Sequence, residues 1–260
     1  MEQYLLLTVF GILIGVFGTL IGAGGGFILT PILLLLYPKD SPDTITSISL
    51  AVTCANAVSG SVAYGRMKRI NYRYGLLFSA ACIPGAILGA ISTYYVPRRT
   101  FDLIFAIILL VVSLVIFVKV PKEPGISENY LIHLSSRKLI AGILLSLVIG
   151  FVSSFLGIGG GIIHVPVLSN ILLFPVHIAT ATSHFILAIV TFVGTIVHII
   201  SGTFHHGVRR AIALAIGVLM VAQIGSILST RVSSTVTIRS LAVASYLVSI
   251  RLTILFFSGK

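Results

Sequence analysis

Gly15-Val-Phe-Gly-Thr-Leu-Ile-Gly22-Ala-Gly24-Gly25-Gly26-Phe-Ile-Leu-Thr-Pro31 is answered later in the chain by Gly150-Phe-Val-Ser-Ser-Phe-Leu-Gly157-Ile-Gly159-Gly160-Gly161-Ile-Ile-His-Val-Pro166. Gly15, Gly22, Gly24, Gly25, Gly26 and Pro31 match Gly150, Gly157, Gly159, Gly160, Gly161 and Pro166 at a constant offset of 135, without a gap. Farther on, Ser49 answers Ser183 and Gly60 answers Gly194 at 134, and Gly89 answers Gly225 at 136. The chain therefore reads as a duplicated unit, residues 1–118 and 139–260, joined by a polar linker at 119–138.

Each glycine cluster sits among apolar runs. The runs cover 4–20, 27–36, 45–64, 74–96, 101–118, 139–156, 162–174, 178–200, 211–230 and 238–257. Eight are long enough to cross a hydrocarbon core, which takes roughly 17–25 residues. The runs 27–36 and 162–174 are too short, and each directly follows a glycine cluster. The fold expected is an all-α integral membrane protein with about eight transmembrane helices and two short glycine-headed half-helices. Paired short segments, interrupted by Gly and Pro in corresponding positions of two halves, point to the binding site of a transporter.

Composition agrees. Of 260 residues, 57% are apolar and 9% charged, against roughly a quarter charged in a soluble domain. The net charge of +11 would suggest nucleic acid in a soluble protein. Here the basic residues cluster in connectors instead: Arg66, Lys68, Arg69 and Arg73 in one, Arg209 and Arg210 in another, and Lys119, Lys122, Arg137 and Lys138 around the linker. That is the positive-inside pattern, so nucleic acid is not an expected partner. With eight spans the halves run parallel, and 65–73, 119–138 and 202–210 share the cytoplasmic side with both termini. With ten spans the halves are inverted. The eight-span reading is the one adopted. Residues 1–3 lack a basic leader, so the first run is expected to remain as a helix. Cys54 and Cys82 fall in apolar runs with no metal-ligand spacing, so no metal and no cofactor is expected.

A glycine run in a membrane segment ends one helix and lets the next begin at an angle. The new helix opens with unpaired N–H groups, and these favour an anion. Gly22, Gly24, Gly25 and Gly26, with Gly157, Gly159, Gly160 and Gly161, are thus expected to bind the cargo from its two sides. The pairs Gly11/Gly15, Gly18/Gly22 and Gly85/Gly89 are read instead as close helix contacts. The clusters do not complete a dinucleotide fingerprint, since Phe27 and Ile162 stand at its last position, and no Gly-Lys-Ser/Thr follows.

The six acidic residues, Glu2, Asp40, Asp43, Asp102, Glu123 and Glu128, lie outside or at the ends of the runs. A pathway without fixed negative charge suits an anion. His164, His184 and His198 lie within runs and are candidates for proton coupling; the bland alternative is a neutral ring bonded to a neighbouring helix. Ser49, Thr53 and Asn56 fall on one helix face and, with Ser183, are candidates to contact the cargo or to bond another helix. Gln223 is a lesser candidate of the same kind. Arg251 sits inside the last run and is read as reaching back to the interface.

These residues resemble the TauE/SafE family, also called the toluene-sulfonate uptake permease family. The resemblance rests on the two glycine motifs, on 46–49 and 179–183, and on Pro84-Gly-Ala-Ile-Leu-Gly-Ala90. It implies an inner-membrane transporter of sulfite, sulfonates or related carboxylates. The function expected is secondary transport of a small anion. A passive anion channel is the alternative, and a membrane-embedded assembly factor or enzyme is a more distant one. The partners expected are the anion, the lipid bilayer and protons as coupling ion; association with further copies of the chain stays open.

Overall fold

The computed structural model describes residues 2–118 and 134–228, together with Val243, Tyr246, Leu247, Ser249 and Ile250. Apart from those five residues, the expected last span with Arg251, and the part 119–133 of the linker, lie outside the described residues. Within them the chain is helical throughout: α1 Glu2–Ile21, α2 Gly26–Leu36, α3 Pro42–Arg66, α4 Tyr72–Ser92, α5 Arg98–Val118, α6 Ser136–Leu156, α7 Gly161–Pro166, α8 Val176–Ile200 and α9 Val208–Leu228. Five residues of π-helix, Val167–Ile171, extend α7. Six helices are long and apolar enough to cross a membrane: α1, α3, α4 with the turn after it, α6, α8 and α9. In lipid a helix satisfies its own backbone, and that is why such a chain has little other choice.

Local chemistry sets the boundaries. Pro42 opens α3 behind Ser41, whose hydroxyl lies 3.0 Å from that of Thr44. Asn71 caps α4 by accepting from the Tyr74 amide. Gly157 closes α6 in the left-handed region at φ +69°, a conformation other residues enter at a cost of roughly 1–2 kcal/mol.

Small residues set the helix pairs. A side chain at Gly11 would run into the carbonyl of Leu214, and one at Gly217 into that of Thr8, so α1 and α9 lie backbone to backbone. Gly85 and Gly89 do the same for α4 against Leu147 and Phe151 of α6. The close-contact reading thus holds for Gly11, Gly15, Gly85 and Gly89. Gly18 differs: its open face meets the Gly25 amide and the Asn56 side chain. It belongs to the glycine break.

Directions correct the expected topology. Along α3 and α8, Thr46 meets His198, Cys54 lies near Ala188, and Gly60 meets His184. The two helices are therefore antiparallel, although they answer each other in sequence. Nor does α2 continue away from the start of α1. Thr8 of α1 donates to Ala213 of α9, and Arg210 at the start of α9 pairs with Asp40, just past α2. The outer ends of α1 and α2 therefore lie at one end of the bundle. By the same logic α6 and α7 share the other end: Leu134 donates to the Tyr74 hydroxyl, and Phe174 packs on the Tyr74 ring. Asn71 donates to Thr182 there as well. The connector 65–73 and the start of α6 thus lie at one end, while 202–210 and the amino terminus lie at the other. The parallel arrangement expected for eight spans fails. The reason is geometric: each long-short helix pair, α1 with α2 and α6 with α7, returns to its own side of the bundle, and the two pairs start from opposite ends.

Leu5, Leu13 and Phe17 of α1, Leu88 of α4, Leu144 and Val148 of α6, and Leu219 and Ile224 of α9 are exposed. They form the apolar outer surface a bilayer requires. The interior is filled by Phe27, Leu29, Leu33, Ile45, Ile48, Phe101, Phe105 and Ile162.

Candidate functional site

The two glycine breaks meet. A methyl group on Gly161 would fall 2.5 Å from the Cα of Ala23 and from the carbonyl oxygen of Gly22. One on Gly26 would fall 2.9 Å from the carbonyl oxygen of Gly157 and 2.8 Å from that of Ile158. Residues 21–27 and 156–162 are all buried. The two clusters thus lie against each other in the interior of the bundle.

Their backbones match residue by residue. Gly22, Gly24 and Gly25 have φ of +75°, +74° and +83°, and Gly157, Gly159 and Gly160 have +69°, +78° and +86°. Three left-handed residues in four turn the chain sharply without a side chain in the way. The carbonyl of Gly18 then takes the amides of Ala23 and Gly24, as that of Ser153 takes those of Ile158 and Gly159. Gly25 and Gly160 accept the first bonds of the next helices. Among the described residues, no backbone acceptor is assigned to the amides of Gly25, Gly26 and Phe27, or of Gly160, Gly161 and Ile162.

Side chains of α3 converge on this crossing, as their shared helix face predicts. Asn56 Nδ2 donates to the Gly24 carbonyl (2.9 Å), and Asn56 Oδ1 accepts from Thr19 (2.6 Å). The Tyr64 hydroxyl donates to the Thr19 carbonyl. Ser49 Oγ donates to the Gly157 carbonyl (2.7 Å) and accepts from Thr30 (2.8 Å), which lies 3.0 Å from the same carbonyl. Between them stands Thr53. Its methyl would be 2.8 Å from a side chain at either Gly24 or Gly159, and its hydroxyl 2.7 Å from one at Gly26. That hydroxyl is fully buried and has no hydrogen-bond partner. Leu187 of α8 lies across both breaks beside it. Ser183 is also buried with an unpaired hydroxyl, as are Ser153 and Ser154 at the end of α6.

The three histidines separate. His198 is held at one end of the bundle, with Nδ1 3.0 Å from the Thr203 hydroxyl and Nε2 3.5 Å from that of Thr46. His164 faces α4 and α6, 3.4 Å from the Ser146 hydroxyl and 3.8 Å from Cys82 Sγ. His184 packs against Gly60 and edge-on to Tyr64, beside the first break. Gln223 is exposed on α9 and away from the crossing. Thr19, Thr30, Tyr64 and Leu187 are site residues that sequence reasoning passed over. Thr19 and Thr30 lie inside the repeated motif itself, where its second copy has Ser154 and Val165. Among the described residues, no three His, Cys, Asp or Glu side chains are grouped to hold a metal.

Sequence comparison places this architecture among membrane transporters. The chain is 28% identical over 267 residues to the probable membrane transporter protein YunE of Bacillus subtilis strain 168, covering 96% of this chain and 97% of that one. It is 26% identical over 235 residues to a probable membrane transporter protein of Xylella fastidiosa strain 9a5c, covering 89% and 87%. The probable membrane transporter protein MJ0441 of Methanocaldococcus jannaschii is 24% identical over 203 residues, covering 76% and 73%. No solved structure matches the chain. The profile of one family, described as the sulfite exporter TauE/SafE, matches residues 7–252. With its glycine breaks inside that span, this multi-pass membrane protein belongs to the TauE/SafE family of membrane transporters.

Proposed function

We propose that the chain is a secondary transporter that carries a small anion, sulfite or an organosulfonate or a related carboxylate, across the inner membrane. One observation carries the reading. Two helix breaks meet in the buried centre, with unpaired amides at the head of α2 and the free hydroxyl of Thr53 aimed between them. Non-helical backbone at membrane depth is tolerated only where it is enclosed by protein or lines a wet cavity. Orphan amides there favour negative charge, by up to about 2 kcal/mol in partly buried geometry. The acidic residues Glu2, Asp40, Asp43 and Asp102 stay at the bundle end opposite the 65–73 connector, away from the breaks.

The two units 1–118 and 139–260 act as inverted copies, and alternating access comes from one rocking against the other. In the arrangement seen, Ser49 and Asn56 brace the breaks, leaving Thr53 and Ser183 for the cargo. The end with Arg66, Lys68, Arg69, Arg73, Arg137 and Lys138 faces the cytoplasm, so the amino terminus lies outside.

The test is flux into proteoliposomes with labelled sulfite, sulfoacetate and acetate. At least one anion is expected to exchange, and Gly25→Val and Gly160→Val are expected to abolish exchange while the protein still inserts. Movement of a cation with none of these anions would overturn the reading.

A further inference from the structure

This inference rests on the transport reading above. We infer that His184 is the residue through which this transporter couples its anion to protons. Its ring is fully buried, and neither nitrogen has a hydrogen-bond partner. The other two interior histidines have hydroxyl partners. A buried polar group without a partner is rare and costs roughly 1–3 kcal/mol, so an unpaired imidazole at the centre of a carrier asks for a ligand.

Its surroundings are built to admit it. Gly60 is the position in α3 against which the ring lies, and a side chain there would collide with Nε2. The ring rests against the backbone of Asn56 and Gly22, outside hydrogen-bond geometry. From α1, Thr19 faces the same glycine. From α3, the titratable Tyr64 meets the ring edge-on at 5.6 Å between centroids. No charged side chain among the described residues acts on it. Asn56 ties this spot to the break through the Gly24 carbonyl.

The coupling follows from electrostatics. An imidazolium buried without a counter-charge is expensive. An anion in the adjoining break supplies that charge, so bound anion favours the proton and bound proton favours the anion, by the same factor. The two then load and leave together. The balance is simple: one proton adds to a ring nitrogen as the anion arrives and leaves from it as the anion departs.

The test uses the full chain in proteoliposomes loaded with a pH-sensitive dye, with sulfite or sulfoacetate added under an imposed pH gradient. Wild-type, His164→Gln and His198→Gln proteins are expected to move protons with the anion and to accumulate it. His184→Gln is expected to pass the anion downhill only, with the proton flux lost. If that variant does not insert, the nitrogen resonance of labelled His184 in the wild-type protein reports instead, and saturating sulfoacetate is expected to shift it to the imidazolium position. Accumulation by His184→Gln, or a resonance that does not move, overturns the inference alone. A wild-type protein that moves neither of these anions nor acetate overturns the transport reading beneath it as well.

Discussion

Both glycine breaks are wired by side chains of the first half, and the matching side chains of the second half add no such bonds to them. Both have the same backbone angles and lie against each other. Around Gly22–Gly26, Asn56 holds the Gly24 carbonyl, Thr19 holds Asn56, and Tyr64 holds Thr19. At the matching places of the second half stand Val190, Ser154 and His198. The Ser154 hydroxyl is unpaired, and His198 points to the end of the bundle. Ser49 and Thr30 grip the Gly157 carbonyl, whereas their counterparts are Ser183, unpaired, and Val165, which offers no hydroxyl. Shape therefore comes from the glycines, which the halves share. Rigidity comes from the polar residues between them, which the halves do not share. The first half supplies the donors that fix both breaks, and the second half supplies hydroxyls and an imidazole with bonds still to make.

Three experiments bear on that contrast. The largest effect is expected at the contact itself. Gly161→Val would drive a side chain into the backbone of Ala23 and Gly22, where neither neighbour can turn aside. Overpacking in a core typically costs about 1–3 kcal/mol, and more against rigid backbone. Loss of both transport and folded yield is expected, read by size-exclusion profile and flux; a normal profile would mean that the breaks part easily. Next comes Asn56→Ala, which strips the donor from the Gly24 carbonyl and the acceptor from Thr19. A loss of about 1–3 kcal/mol is expected from the unpaired groups, measured as a lower melting temperature in detergent. Smallest in stability is Ser183→Ala. It removes a buried hydroxyl that has no partner, so the melting temperature should hold or rise while anion exchange slows. A fall in melting temperature as large as that of Asn56→Ala would erase the distinction between a wired and an unwired half.

Much of this was legible in the sequence because glycine and proline report backbone shape directly. The offset repeat located both breaks, and the spacing of Ser49, Thr53 and Asn56 put them on the face that meets those breaks. Helix direction was not legible. Run lengths showed that 27–36 was too short to cross, but not that it turns back toward the start of α1. That depends on tertiary contacts such as Arg210 with Asp40 and Thr8 with Ala213. The basic connectors misled for the same reason: Arg210 is engaged locally, with Asp40 and over the Tyr37 ring. Their charge was counted as a topology signal. The isolation of His184 was also hidden, because a histidine's partners lie on other helices.

The far tip of α2 is fastened. Arg98 donates to the carbonyls of Leu34, Tyr37 and Asp40, and its Nε pairs with Asp102. The near tip has glycines where a cap would be. The two ends of α2 are thus held in different ways: a guanidinium gathers the carbonyls of the outer tip, while the inner tip is seated by backbone contact with the other break. A helix that tilts about its held outer tip sweeps its widest arc at the inner one, which puts Arg98 among the residues that set how far Gly26 stands from Gly157.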